Sequence, residues 1–352
     1  MIYAGIARSD SERNQALRLA AASFPMPQDH NEDSATLRKR LLLQEHPRFK
    51  EDSAVVVCAS DGSVVGSAFL IDCKLPFKRT ILRGVFISSV SVAEHLRGRG
   101  VSHQLMDAII ESSRMRGVDI AMLISSKAVD GYYTRFGFWG LSQYSKATLE
   151  FATLSSGKQS AQSTKLTPVT TRNFGTCAAL HTGNYNQLFG HCVREPEMWK
   201  YILYKTKYIG MRFDLVSIAG KTVGYAIHDG KGNLYEIATV AEDFSCNSYA
   251  FLRACAPNVE GVTLHVHPTH PFLKKLEGAD VTLALRECPY GGHMVRVLNP
   301  AAFPGGEVHH GKSILGFTET SRLISMARIT CFDSTKDIGL HSSFNIPLLD
   351  QI

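Results

Sequence analysis

Apolar residues in this chain gather into short runs separated by turn residues, and at defined places the runs lengthen or take up helical spacing. Residues 53–60 and 63–73 are two such runs on either side of Asp61-Gly62, a dipeptide that favours a tight hairpin because glycine accepts positive φ. Residues 81–92, rich in Ile, Val and Phe, predict a buried strand. After a short polar turn, Leu105, Met106, Ile109 and Ile110 recur at helical spacing, so strand, turn and helix are expected in that order. Residues 119–126 predict the next buried strand. A weaker echo lies in the second half. Residues 212–218 and 222–227 flank Ala219-Gly220-Lys221, and residues 234–240 match the strand after that hairpin.

At 352 residues the chain is too long for one compact core, so two domains are expected. The polar, Ser-rich stretch LSSGKQSAQ (154–162) has no apolar periodicity and predicts a linker. The expected organisation is a first domain over 1–153, a linker over 154–164, a second domain over 165–300 and a C-terminal extension over 301–352. The fold class expected is α/β of the α+β kind, each domain a mixed, mostly antiparallel sheet flanked by helices.

Composition narrows the partners. A net charge of +6 and a pI near 8.8 suit an anionic ligand, yet no long Lys/Arg run or aromatic-interleaved basic patch exists, which argues against nucleic acid. Residues 1–24 lack a signal-peptide core, and nowhere do about 18 apolar residues run together. A soluble cytoplasmic protein with no membrane partner is expected. The cysteines at 58, 73, 177, 192, 246, 255, 288 and 331 form no CxxC pair, and several sit in apolar runs, which predicts buried free thiols. His265, His267 and His270 have a spacing a metal ion could use, but no acidic or cysteine partner adjoins them. No metal is expected there, and packing at a strand end or a place in a substrate cleft is favoured. His309-His310 is read as a loop.

The turn after the 81–92 strand carries the most specific chemistry. Glycines at 98 and 100 let backbone approach phosphate oxygens without a Cβ in the way, N–H groups of Gly98, Arg99, Gly100, Val101 and Ser102 lie at a helix start, and Arg97 and Arg99 add charge. That combination suits a diphosphate. Neither a P-loop nor a Rossmann fingerprint has this spacing. The pattern Arg/Gln-x-x-Gly-x-Gly/Ala after a strand resembles motif A of the GNAT N-acetyltransferases, with Arg97, Gly100 and Ser102 at its fixed positions and serine replacing the usual small residue. Some 30 residues on, Gly131-Tyr132-Tyr133-Thr134-Arg135-Phe136-Gly137-Phe138 resembles a second GNAT segment. The resemblance covers most of residues 1–150.

That resemblance implies acetyl-CoA as co-substrate, with the strand backbone at Val90, Ser91 and Val92 and the end of the next strand at Ser126 contacting the cofactor. It also implies Tyr133 as the proton donor to the departing thiolate, while Tyr132 is read as a packing aromatic. Glu94 and His95 are left unassigned. A competent GNAT domain followed by a degenerate one, in which acidic and bulky residues 241–246 replace the glycine turn, resembles the Eis-like acetyltransferases without room for their full third domain. In that family the terminal carboxylate serves as base, which nominates Ile352. The acceptor implied is a small-molecule primary amine, an amino sugar or aminoglycoside first, and the acidic positions Asp29, Glu32 and Asp33 could attract such a cation. Polyamines, amino acids, protein lysines and hydroxyls stay open, as does a CoA-binding regulator without turnover. Homo-oligomers are common in such families, and no interface pattern is readable along the chain.

Overall fold

The computed structural model describes residues 3–25, 32–77, 79–125, 129–140, 145–151, 163–186, 191–240, 248–266, 270–276, 281–285 and 292–303. In chain order its strands are β1 (Tyr3–Ile6), β2 (Ala54–Cys58), β3 (Val64–Phe77), β4 (Thr80–Val92), β5 (Ile120–Ser125), β6 (Trp139–Gly140), β7 (Ser145–Glu150), β8 (Thr164–Pro168), β9 (Arg212–Ile218), β10 (Lys221–His228), β11 (Asn233–Thr239), β12 (Gly261–Leu264), β13 (Val281–Leu285) and β14 (Gly292–Val297). The helices are α1 (Asp10–Ser23), α2 (Glu32–Gln44), α3 (Val101–Met115), α4 (Asp130–Tyr133), α5 (Phe174–Tyr185), α6 (Pro196–Tyr208), α7 (Ser248–Cys255) and α8 (Pro271–Lys274).

Two seven-stranded sheets result, with the orders β1-β2-β3-β4-β5-β14-β6 and β8-β9-β10-β11-β12-β7-β13. Each has a single parallel pair, β4 with β5 and β11 with β12, and is antiparallel elsewhere. The architecture is the mixed α/β arrangement expected, and the second sheet repeats the strand permutation of the first. The hairpin expectations are met locally. Gly62 adopts φ +84°, and the Asp61 carboxylate accepts from both the N–H and the hydroxyl of Ser63. Ala219 and Gly220 take φ +50° and +78°, the pair of positive angles a tight hairpin needs.

The division between the halves differs from the sequence reading in one respect. Strand β7, counted there with the first domain, pairs with β12 and β13 in the second sheet, and β14, counted with the second, pairs with β5 and β6 in the first. The described residues up to 140 together with 292–303 form one compact unit, and those from 145 to 285 the other. Short apolar strands look alike locally, and the choice of sheet is made by long-range pairing that no periodicity encodes.

In the first unit, the apolar stripe of α3 (Val101, Leu105, Met106, Ile109, Ile110) packs on Val55, Val57, Leu70, Val85, Ile87 and Leu123 of the sheet. The second unit buries a polar knot in its core. Arg194 makes a bidentate pair with Glu236 at 2.6 and 2.7 Å, the Tyr225 hydroxyl donates to Glu236 at 2.7 Å, and the Trp199 ring lies 4.9 Å from the guanidinium. Burial pushes the Glu236 carboxyl up, but the Arg194 charge and hydrogen bonds more than offset this and hold it ionised. Cys58, Cys73, Cys177, Cys192 and Cys255 are buried free thiols, as expected; Cys246, Cys288 and Cys331 lie outside the described residues.

Two outcomes are expected. A chain ending at residue 162 lacks β14 and leaves β5 and β6 without their shared neighbour, so it should show no cooperative urea transition by circular dichroism, whereas the full chain does. Glu236→Leu strands the Arg194 guanidinium in the core and is expected to cost about 3–5 kcal/mol in urea unfolding.

Candidate active site

The first unit is opened by the way β4 parts from β5. Their parallel register runs from Gly84 opposite Ile120 to Ile87 opposite Leu123 and ends there, while β4 continues to Val92. On its other edge β4 stays paired with β3 but carries one extra residue. Ser88 faces Phe69 and Ser91 faces Ser67, so three steps on β4 match two on β3. Ser89, at the bulge, takes φ +54°, a left-handed angle that costs a non-glycine residue about 1 kcal/mol or more. The bulge and the lost partner leave the peptide edge of residues 88–92 facing a space rather than a strand.

That space is a cavity of about 690 Å³. Phe86 to Val92 of β4 form one wall, Leu123 and Ile124 of β5 another, and Tyr132 and Tyr133 a third. Arg97, Gly98 and Ser102 line it at the start of α3, and Ser23, Phe24 and Lys39 on the side of α1 and α2. Of the residues nominated from sequence, Val90, Ser91, Val92, Arg97, Gly98, Ser102 and Tyr133 thus meet in one cavity. Arg99, Gly100 and Val101 belong to the same turn without lining it, and Ser126 and Ile352 lie outside the described residues.

The turn has the geometry a diphosphate requires. Gly98 and Gly100 take φ +77° and +82°, Gly100 is the residue before the first turn of α3, and a Cβ built on either would meet nothing within 4 Å. The open space beside two left-handed glycines lets a phosphate group come up to the helix N–H groups. Arg97 and Arg99 stand beside it, as do Glu94 and His95, none of them buried. A coenzyme A molecule fits this donor set in kind. Its diphosphate would sit on the turn, and its amide-bearing arm could pair with the free edge of β4 as an added strand.

Tyr133 is 8% exposed and packs in the core beside Phe138, with ring centroids 6.4 Å apart. Burial pushes its hydroxyl up to about 12, so it stays protonated through the neutral range. Its turn is held from behind by β14, where Val295 pairs with Trp139, and the Arg296 guanidinium donates to the Phe136 carbonyl. Burial raises the Tyr132 hydroxyl, with the Ser102 hydroxyl partly opposing the rise. Beyond the packing role expected of it from sequence, the Tyr132 ring also lines the cavity. Sequence reasoning missed Lys39 altogether. Only its place in the apolar stripe of a helix could have marked it.

The second unit has the same parting, but among the described residues the edge it leaves is taken up by side chains. Strand β11 pairs with β12 only at Asn233 and Leu234, yet the N–H and C=O of Thr239 are both bound by the Asn184 side chain, and the Ile237 carbonyl accepts from the Tyr185 hydroxyl. Side chains of α5 occupy the edge that a ligand would need. Residues 241–246, where the glycine turn is replaced, lie outside the described residues. His265 stacks on Tyr235 at 4.8 Å, and His270 caps α8 by accepting from the Phe272 N–H, while His267 is not among the described residues. No group of three metal-ligating side chains occurs among the described residues, and no described helix is long and apolar enough to cross a membrane.

Residues 7–141 match the family model described as an acetyltransferase (GNAT) domain. The wider fold is similar to that of a GCN5-related N-acetyltransferase from Kribbella flavida, at 17% identity and TM-score 0.63, covering 87% of this chain and 74% of that one. It is likewise similar to a GCN5-related N-acetyltransferase from Anabaena variabilis (13%, TM-score 0.67, 87% and 75%) and to Eis1 from Mycobacterium abscessus (14%, TM-score 0.59, 87% and 77%). No curated protein matches the sequence significantly. Residues 7–141 form a GNAT acetyltransferase domain, and the two-sheet fold of the described residues is similar to that of these GNAT structures.

Gly100→Ala forces a side chain into the left-handed region at a site with no steric crowding. It is expected to lower stability by about 1–2 kcal/mol and to weaken coenzyme A binding further, measured by urea unfolding and titration calorimetry.

Proposed function

We propose that this protein is an acetyl-CoA-dependent N-acetyltransferase that moves the acetyl group to a primary amine by direct attack in a ternary complex. The observation that carries the reading is the convergence of three parts in one cavity: a glycine turn suited to a diphosphate, a free strand edge, and a buried tyrosine. Acetyl-CoA supplies the thioester. The edge of β4 orients it, since N–H groups released by the lost β5 partner are fixed in advance and cost nothing to reorganise when charge develops on the carbonyl oxygen.

Tyr133 is assigned the proton that the departing thiolate takes up. Its hydroxyl at about 12 is a weaker acid than an unperturbed phenol near 10, which alone would oppose transfer. A thiolate formed against the same apolar wall is desolvated too, so the proton affinity of the sulfur rises with that of the phenol. The match between donor and acceptor therefore survives burial. Val90, Ser91, Val92, Arg97, Gly98, Arg99, Gly100, Val101, Ser102 and Ser126 are assigned to cofactor binding. The terminal carboxylate of Ile352 as base rests on family resemblance alone, and adding residues after Ile352 tests it, with unchanged turnover the outcome against it.

Among the described lining residues no carboxylate faces the cavity, which does not favour the amino sugar or aminoglycoside anticipated from sequence. A regulator that binds coenzyme A without turnover is the competing reading.

Thiol release from acetyl-CoA in a broad amine screen separates the two. Tyr133→Phe is expected to reduce kcat by about 10²-fold or more with coenzyme A affinity preserved, and the wild-type kcat should show no alkaline limb from Tyr133 until the pH nears 12. Coenzyme A binding without release for any amine would decide for the regulator.

A further inference from the structure

Helix α2 presents Ala35, Leu42 and Leu43 inward, at 6%, 5% and 0% exposure, and Lys39 falls on the same stripe, four residues after Ala35 and before Leu43. A cation at an inward position breaks the pattern that folds the helix, and such breaks are expected where function requires them. Lys39 is half-buried, lines the cavity, and has no hydrogen bond or ion pair among the described residues. Burial brings its ammonium down to about 8, so it still carries charge at neutral pH.

Lys39 belongs to α2 and not to the diphosphate turn at the start of α3. Helix α1 is fixed near the Val92 end of the sheet, where the Val64 N–H donates to Gln15 and the Ser67 hydroxyl to the Ala16 carbonyl. Ser23 lies seven residues beyond Ala16, about 10 Å along the helix. It joins Phe24 and Lys39 in lining the cavity, and Phe86, six residues before Val92, lines it too. The other cationic lining residue is Arg97, in the diphosphate turn, and no acidic side chain lines the cavity among the described residues. An unpaired, desolvated ammonium in that wall repels a second cation and gains most from an anion, because the low-polarity surroundings strengthen the attraction.

We infer that Lys39 is the counter-ion for an anionic group on the acceptor, so that the substrate is an amine that also bears a carboxylate or a group of like charge. This rests on the acetyl-transfer reading and sharpens its acceptor. The Ser23 hydroxyl offers a second donor on the same wall, and Phe24 and Phe86 enclose an apolar spacer.

The test compares β-alanine and 2-aminoethylphosphonate with β-alaninamide and spermidine as acceptors, with thiol release as the readout, in the wild type, Lys39→Met and Lys39→Arg. Methionine suits the inward face of α2, and arginine keeps the charge. The wild type is expected to favour the acids over the amide in kcat/KM, and Lys39→Met to reduce that ratio by at least about tenfold, mainly through KM. Lys39→Arg should retain part of it. A wild-type preference for spermidine or the amide overturns the inference, as does a ratio unchanged in Lys39→Met. An acetyl group found on Lys39 itself by intact mass, with no acceptor present, also overturns it, since the amine would then be substrate. Release with the amide alone leaves acetyl transfer standing and removes only the counter-ion; release with no amine removes both.

Discussion

A β-strand in the middle of a sheet cannot leave its backbone groups unpaired without a substitute, because buried N–H and C=O groups are costly to orphan. Strand β4 is placed in that position from Ser88 onward, where β5 has ended its register and β3 alone remains. The bulge at Ser89 makes the departure a fixed feature, since a left-handed serine is held only where its surroundings over-determine it. What the strand lacks in sheet partners it can take from an extended ligand, and the cavity, the glycine turn and the buried tyrosines are arranged around that one unfilled edge. The second unit shows the alternative. There the corresponding edge of β11 is satisfied by Asn184 and Tyr185, and the protein's own side chains take the place a ligand would occupy.

The exchange of β7 and β14 ties the first site to the far end of the chain. Met294, fully buried, belongs to the same apolar cluster as Tyr133 and Phe138, and Arg296 holds the carbonyl of Phe136 at the end of the tyrosine turn. Leu298 and Asn299 add hydrogen bonds to Asp119, which in turn accepts from the Arg83 N–H at the start of the parallel pair. Residues just beyond the second sheet in sequence therefore hold the tyrosine turn of the first unit in place.

Much of this was legible in residue order alone. The hairpins around Asp61-Gly62 and Ala219-Gly220, the strand ending at Val92, the stripe of α3 and the Gly98-Gly100 turn are local, and local rules of periodicity and glycine conformation found them. Sheet membership of β7 and β14 was not legible, because pairing partners more than a hundred residues apart leave no periodic trace. The Ser89 bulge was equally hidden, since serine carries no left-handed signature. Lys39 escaped for a different reason. A lysine inside a polar-looking segment such as EDSATLRKR reads as a solvated face until burial shows that position 39 is on the inner stripe.

The acceptor question turns on which charge the cavity wall can tolerate. Acidic residues in the 29–33 region suggest a cationic acceptor, but Glu32 and Asp33 are exposed, and Asp33 stands 3.7 Å from Arg18 in a surface pair worth little. Charges at the surface steer an encounter and are screened by salt, whereas a charge in the cavity wall acts at contact and through little water. Where the two disagree in sign, the buried one decides what can be held, because placing a second cation beside Lys39 costs desolvation and repulsion together. A lysine on the inner stripe is a poorer choice for packing than an apolar residue, and the counter-ion role assigned to Lys39 supplies a reason for it to stand there.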